Sequence, residues 1–460
     1  MMRCDKSSSS VAVWASFETG EPLAGAGTAV MLRRWLTCLT LVIAWILVAS
    51  IGHGSQVRFQ EVSPGSWKLL KDGKPFVIRG AGGTVQLDLL KAHGGNALRT
   101  WGIEDWEKVV DGMRVIDRCA ELGIGLVAGI HIAHERHGFD YRDPVQTAKQ
   151  REMVRGIIRK YKDHPAILLW GLGNEMEGPE TDGNVPHVWK EMNILASIVK
   201  EEDPHHPVMS VIAGTSPVRV QSVIKHYPNL DILGVNAYAE AAGAATAVRN
   251  AGWRKPFVLG EFGPPGYWQV QRTPWGAAIE PSSREKAASY YAMQKLVEEE
   301  CGEFCLGSFC FYWGQKQETT STWFGMFLKT GEKLPPVDAM CRAWTDMWPS
   351  NRCPRIGKIR TDLREAVVEP GRLSVVRVDV SDPEGDDLQI EWVVHEESRD
   401  IRVGGDRELE PPSIPESIVH TEGTQAVIRA PAKSGPYRLF VIVRDGQGAA
   451  CVENVCFRVE

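Results

Sequence analysis

Between Phe76 and Trp313 the chain alternates two textures, and that alternation limits the folds open to it more than any other feature. Runs such as GLVAGIH and ILLWGLGN are short and apolar, as strands buried on both faces must be. Between them lie longer, charged segments such as DWEKVVDGMRVIDRCAELG and DPVQTAKQREMVRGIIRKYKDHP, whose apolar positions recur at helical spacing. Strands are expected near Phe76–Gly80, Asn96–Trp101, Gly125–His131, Ile167–Asn174, Val208–Ala213, Ile232–Tyr238, Phe257–Glu261 and Ser308–Trp313. Strand and then helix, repeated over about 250 residues, is the pattern of a parallel sheet closed on itself, a (β/α)8 TIM barrel.

The texture changes on both sides of this region. WKLLKDGKPFVIRG reads as two strand-like runs around Asp72-Gly73, a dipeptide suited to a tight hairpin. After Trp348 comes a Pro- and Gly-containing joint, PSNRCPRIGK, and then short alternating runs (LSVVRVDV, LQIEWVV, YRLFVIVRD, VCFRV) separated by turns. That is the pattern of a small all-β, immunoglobulin-like sandwich of about 100 residues. The aspartates of SDPEGDD are read as turn residues in preference to a calcium site. The expected division is therefore 1–55 outside the fold, 56–350 as the barrel and 351–460 as an accessory sandwich, with 56–350 able to fold alone.

Residues 1–30 are polar, small and aperiodic, and MLRRWLTCLTLVIAWILVAS then begins again at Met31. Two arginines, about 15 apolar residues and a small-residue exit at Val48-Ala49-Ser50 form a secretory signal. The run is shorter than the roughly 20 residues of a spanning helix, and an uncleaved anchor is the alternative reading. The protein is thus expected to be secreted, periplasmic or membrane-anchored on the external side. Export permits disulfides among the cysteines beyond the leader, although Cys451 and Cys456 fall on opposite faces of one strand. The spacing of Cys301, Cys305 and Cys310 fits no tight zinc knuckle. A net charge of -6 offers no basic patch for nucleic acid. Sixteen tryptophans suit either core packing or stacking on sugar rings.

Side chains at the C-terminal ends of barrel strands converge on one mouth. Here they are Arg99, Trp101, His131, Asn174, Glu175, Tyr238, Glu261 and Trp313. A single strand-terminal glutamate has a plain reading as half of an ion pair, but two, at the fourth and seventh strands, point to paired carboxylate chemistry. His131, His134 and His137 at i, i+3 and i+6 invite a metal reading. HERH lacks the H-E-x-x-H pattern, however, and His131 is read as a substrate hydrogen-bonding group with no metal or cofactor expected.

The text GGNALRTWG, WGLGNEMEG, LGVNAY, VLGEFG and FCFYWG, within the stretch from Trp67 to Trp348, resembles the retaining glycoside hydrolases with catalytic acids after strands four and seven. The stretch is similar in particular to the catalytic domain of glycoside hydrolase family 2 and its family 5 relatives. The resemblance implies Glu175 as general acid/base, Glu261 as nucleophile, and Arg99, Asn174 and Tyr238 as the groups holding the nucleophile and the sugar 2-hydroxyl. It implies Trp313 as the platform under the reactive sugar. Two departures leave the sugar open: no N-terminal modules fit before Trp67, and TWGIEDW replaces the usual loop after Arg99. The expected function is retaining hydrolysis of a β-linked oligo- or polysaccharide by double displacement. A transglycosylase using the same glutamates and a non-catalytic carbohydrate-binding barrel are the alternatives.

Overall fold

The computed structural model describes residues 56–178, 181–300 and 304–460. The run at 31–50, with the export and anchor expectations, lies outside the described residues, as does Cys301. Among the described residues no helix is long and apolar enough to cross a membrane.

Eight parallel strands close into a barrel: β1 (Ile78–Gly82), β2 (Ala97–Arg99), β3 (Gly125–Ile130), β4 (Ile167–Asn174), β5 (Val208–Ala213), β6 (Ile232–Asn236), β7 (Phe257–Phe262) and β8 (Cys305–Phe311). Alternation along each strand separates two cores. Val127, Leu169, Met209 and Val258 fill the inside of the barrel, while Leu126, Ala128, Trp170 and Leu172 pack outward. The helices that cover this outer layer start and stop where their ends dictate. Asp143 caps helix Pro144–Tyr161 by accepting from the backbone N–H of Val145 at 2.7 Å, and Gly123 (φ 65) ends helix Val115–Leu122.

The expected strand positions hold for β4 and β5, and shift elsewhere. Phe76 belongs to the N-terminal hairpin, its N–H donating to Leu69 O at 2.8 Å, so β1 begins at Ile78. β8 begins at Cys305 and stops at Phe311, with Gly307 inside it. That glycine (φ 129) is required because a Cβ there would meet Ile78 O at 2.1 Å. The hairpin, Val57–Ser63 with Ser66–Lys71, turns at Gly65 (φ 78), and Asp72 and Gly73, both at positive φ, turn the chain from Ser66–Lys71 into Lys74–Pro75. Its Val57 and Leu69 join the barrel's inner core, closing the N-terminal end and leaving the other end as the mouth.

The C-terminal region is all β. One sheet runs Val367–Val368, Ala450–Val459, Gly435–Arg444 and Gln389–Glu396, and the other runs Leu373–Arg377, Gln425–Arg429 and Ile418–Glu422. Trp392, Val394, Ile428, Leu439 and Phe457 lie in the core they share. In the DPEGDD turn, Asp382 Oδ1 accepts from the N–H groups of Glu384, Gly385 and Asp386. The described cysteines Cys119, Cys305, Cys310, Cys341, Cys353, Cys451 and Cys456 are free, buried thiols.

The described residues form one compact unit. Leu334 of the barrel packs with Phe440, Ala450 and Val452 of the sandwich. Arg438, 2% exposed, donates to Ala278 O at 2.8 Å. Asn454 donates to the buried Glu280 at 2.8 Å, and Glu453 accepts from Ser283 N–H at 3.1 Å.

Candidate active site

A cavity of about 920 Å³ opens at the C-terminal end of the barrel. Trp101, His131, Asn174, Glu175, Tyr238 and Glu261 line it, and Arg99 lies directly beneath. The floor is a connected polar set. Arg99 Nη1 donates to Glu261 Oε1 at 2.7 Å and to Gly260 O at 3.0 Å, and its Nη2 donates to Asn174 Oδ1 at 2.6 Å. Trp101 Nε1 reaches the same Glu261 oxygen at 3.2 Å, and the Tyr238 hydroxyl donates to Oε2 at 2.9 Å. Burial, with the charge of Glu261 adding to it, pushes the Tyr238 hydroxyl well above its ordinary pKa, so it stays a proton donor to that carboxylate.

Glu175 sits in different company. Among the described residues its one side-chain hydrogen-bond partner is Asn236, whose Nδ2 donates to Oε1 at 2.8 Å and to Asn174 Oδ1 at 3.2 Å. Burial first, and the neighbouring Glu261 charge second, raise its pKa above the ordinary carboxylate value; the Asn236 bond and Arg99 act against them. The backbone here is strained: Gly173 has φ 70 and Glu175 itself φ 50, a conformation costly for a residue with a Cβ. Glu175 N–H donates to Val211 O at 2.8 Å, which fixes the turn that aims the carboxyl into the mouth. Two residues on, Glu177 is buried and braces the same turn. It accepts from Ala213 N–H at 2.7 Å and pairs with Arg219 at 2.9 Å, and burial lifts its pKa to about 7 against that pairing.

Trp313 does not reach the mouth. Its side chain is buried, with the residue 0% exposed, and packs on Phe327 and Trp344, while its backbone N–H donates to Gly82 O at 2.7 Å. The slot between β1 and helix Pro335–Thr345 buries the whole ring, which favours that placement over a wet platform. Tyr312 lines the cavity instead, 5.8 Å from the Trp101 ring.

Further lining residues escaped the sequence reading: Asn236, Tyr267, Trp268, Lys316 and Glu318 of the barrel, and Ile401, Val403, Gly404, Gly405 and Asp406 of the sandwich. Asn236 was visible in LGVNAY as the last residue of its strand, two before Tyr238 and so of the same parity. Of the three histidines, His131 is exposed at the rim. His134 is buried; that burial and the adjacent Arg136 push its pKa down to about 3. It is therefore a neutral acceptor for Arg136 Nη1, at 2.8 Å. His137 lies 3.0 Å from Asp406. Among the described residues the three acids close enough to share a cation are Asp382, Asp386 and Asp445, on the sandwich and away from this cavity.

Residues 84–265 match the model of the glycosyl hydrolases family 2 TIM barrel domain. A β-galactosidase of Vibrio cholerae is 26% identical over 195 residues, covering 38% of this chain and 17% of that protein. Human β-glucuronidase is 23% identical over 230 residues, covering 43% of this chain and 32% of that protein. The crystal structure of a Bacteroides uniformis β-glucuronidase superposes with a TM-score of 0.48 at 15% identity, over 88% of this chain and 48% of that one. The chain thus spans less than a third of the length of these two curated relatives. The chain is thus a closed eight-stranded (β/α)8 barrel followed by an all-β region, and within the barrel residues 84–265 are similar to the glycosyl hydrolases family 2 TIM barrel domain.

Proposed function

We propose that the chain is a retaining β-glycosidase that hydrolyses O-glycosidic bonds of a β-linked oligo- or polysaccharide by double displacement. One observation carries the reading: two glutamates face one mouth with opposite surroundings. Glu261 accepts from a guanidinium, an indole and a phenol, the environment of a carboxylate. Glu175 is half-buried, accepts from the Asn236 amide, and holds its proton to higher pH. Glu261 attacks the anomeric carbon and forms a glycosyl ester, while Glu175 gives its proton to the departing oxygen. Once Glu261 is a neutral ester, its share of the upward push on Glu175 is gone. Glu175 then accepts a proton from the water that cleaves the ester. The basic, apolar, small-residue run at 31–50 supports export of the enzyme.

Two variants test the assignment on aryl β-glycosides with added azide. Glu261→Ala is expected to lose several orders of magnitude in turnover and to give an azide product of inverted configuration. Glu175→Ala is expected to form the glycosyl-enzyme from an activated aryl substrate and to give an azide product of retained configuration. Wild-type rates in both variants would overturn the assignment.

A further inference from the structure

The loop Ile401–Asp406 belongs to the sandwich in sequence, yet Ile401, Val403, Gly404, Gly405 and Asp406 line the barrel cavity. It is tied down by barrel residues on both sides. The Tyr267 hydroxyl, in the loop after β7, donates to Arg402 O at 3.0 Å. Arg136 Nη2 and His137 Nε2, after β3, meet the two Asp406 oxygens at 3.0 Å each. Going round the closed barrel, β3 and β7 are four strands apart in either direction, so these tethers stand on opposite sides of the mouth. Glu408 adds a third tether, accepting from Thr319 N–H at 2.6 Å and from Arg402 N–H at 3.0 Å.

The loop is built for this course. Gly404 and Gly405 turn it at φ 64 and 75, and a Cβ on Gly405 would come within 3.2 Å of Lys316 Nζ. Ile401 and Val403 expose 46% and 52% of their surfaces, although the sandwich has an apolar core of its own that could have held them. Beside the loop, Trp268 is 52% exposed and also lines the cavity. An indole and two aliphatic side chains left in water at the rim of a polar cavity suit the C–H faces of a pyranose, which are apolar while its hydroxyls are not.

We infer that the sandwich loop Ile401–Asp406 is a strap across the barrel mouth that forms a wall of the substrate cleft and sets the length of glycan admitted. The C-terminal region is thereby part of the substrate site. The inference rests on the glycosidase reading above, deepening it from reaction class to substrate length. A long chain lying along the line from β3 to β7 meets the strap, whereas a short one fits beneath it beside Glu175 and Glu261.

The test uses the full chain, the variants Arg136→Ala and Asp406→Ala, and a shortened strap in which residues 402–405 are replaced by two glycines. Nitrophenyl β-glycosides and β-linked oligosaccharides of two to six units are the substrates, and a cooperative thermal transition checks each fold. Loosening or shortening the strap is expected to raise kcat/KM for the longer oligosaccharides at least tenfold relative to the nitrophenyl glycoside. Hydrogen exchange of residues 398–408 in the Glu175→Gln variant, with and without the oligosaccharides, is the second readout, and protection on binding is expected. An unchanged length ratio in folded, active variants would overturn the strap's role. If the wild type cleaves no substrate, the glycosidase reading falls, and the exchange measurement still decides whether the strap contacts glycan; absence of protection under saturating oligosaccharide counts against it.

Discussion

Arg99 and Glu261 meet beneath the mouth as a buried ion pair, 2.7 Å apart with 2% and 8% of their side chains exposed. Arg99 also holds Asn174, so one guanidinium fixes the second acid's neighbour as well. Replacing it by Met leaves a buried carboxylate without its cation. The expected cost is about 3–5 kcal/mol of folding stability, measured by urea unfolding, together with loss of most turnover. Arg99→Lys restores the charge without the fork and is expected to recover stability more than rate.

Asn236 tunes Glu175. Its amide hydrogen bond favours the charged carboxylate and so acts to lower a pKa that burial and Glu261 have raised. Asn236→Ala removes that opposition, and the Glu175 pKa rises further. The proton then stays on to higher pH, so the basic limb of the kcat/KM profile is expected to move to higher pH, opposite to the effect of weakening the burial. A limb that stays in place or moves down would remove Glu175 as the group that titrates there.

Legibility in the sequence followed how local each constraint is. β4 could be bounded from ILLWGLGN alone, because a strand buried on both faces writes its limits as an apolar run. Glu175 and Glu261 were visible for the same reason, as carboxylates ending such runs. Asn236 required the end of its strand to be known within two residues. The ring of Trp313 goes into a slot made by residues 327 and 344, which its own strand pattern does not encode. The strap was invisible: Arg136 and Asp406 are 270 residues apart, and a turn-rich segment between two strands carries no local sign of what it will cover.

A chain ended after residue 350 tests how far the barrel depends on the sandwich. Its loss would expose Leu334, strip Asn454 from the buried Glu280 and leave Ser283 N–H and Tyr267 without their partners. The expectation from sequence that residues 56–350 fold alone is replaced by a different one. That piece should be insoluble, or unfold about 10 °C or more below the full chain, as several lost contacts of about 1 kcal/mol each would require. A soluble piece with the full chain's melting temperature would show the junction to be energetically idle.

Tyr312 and Trp313 are adjacent in sequence, but one lines the cavity and the other the core. Trp313→Phe should therefore shrink a buried ring against Phe327 and Trp344, costing about 1–2 kcal/mol of stability with little change in KM. Tyr312→Ala should remove a ring at the cavity wall beside Trp101 and raise KM about tenfold, the equivalent of about 1.4 kcal/mol of aromatic contact. Thermal unfolding and steady-state kinetics on the same two proteins separate the effects. If Trp313→Phe raises KM while leaving stability untouched, the indole reaches the sugar after all, and its burial behind β8 is the wrong account of this end of the barrel.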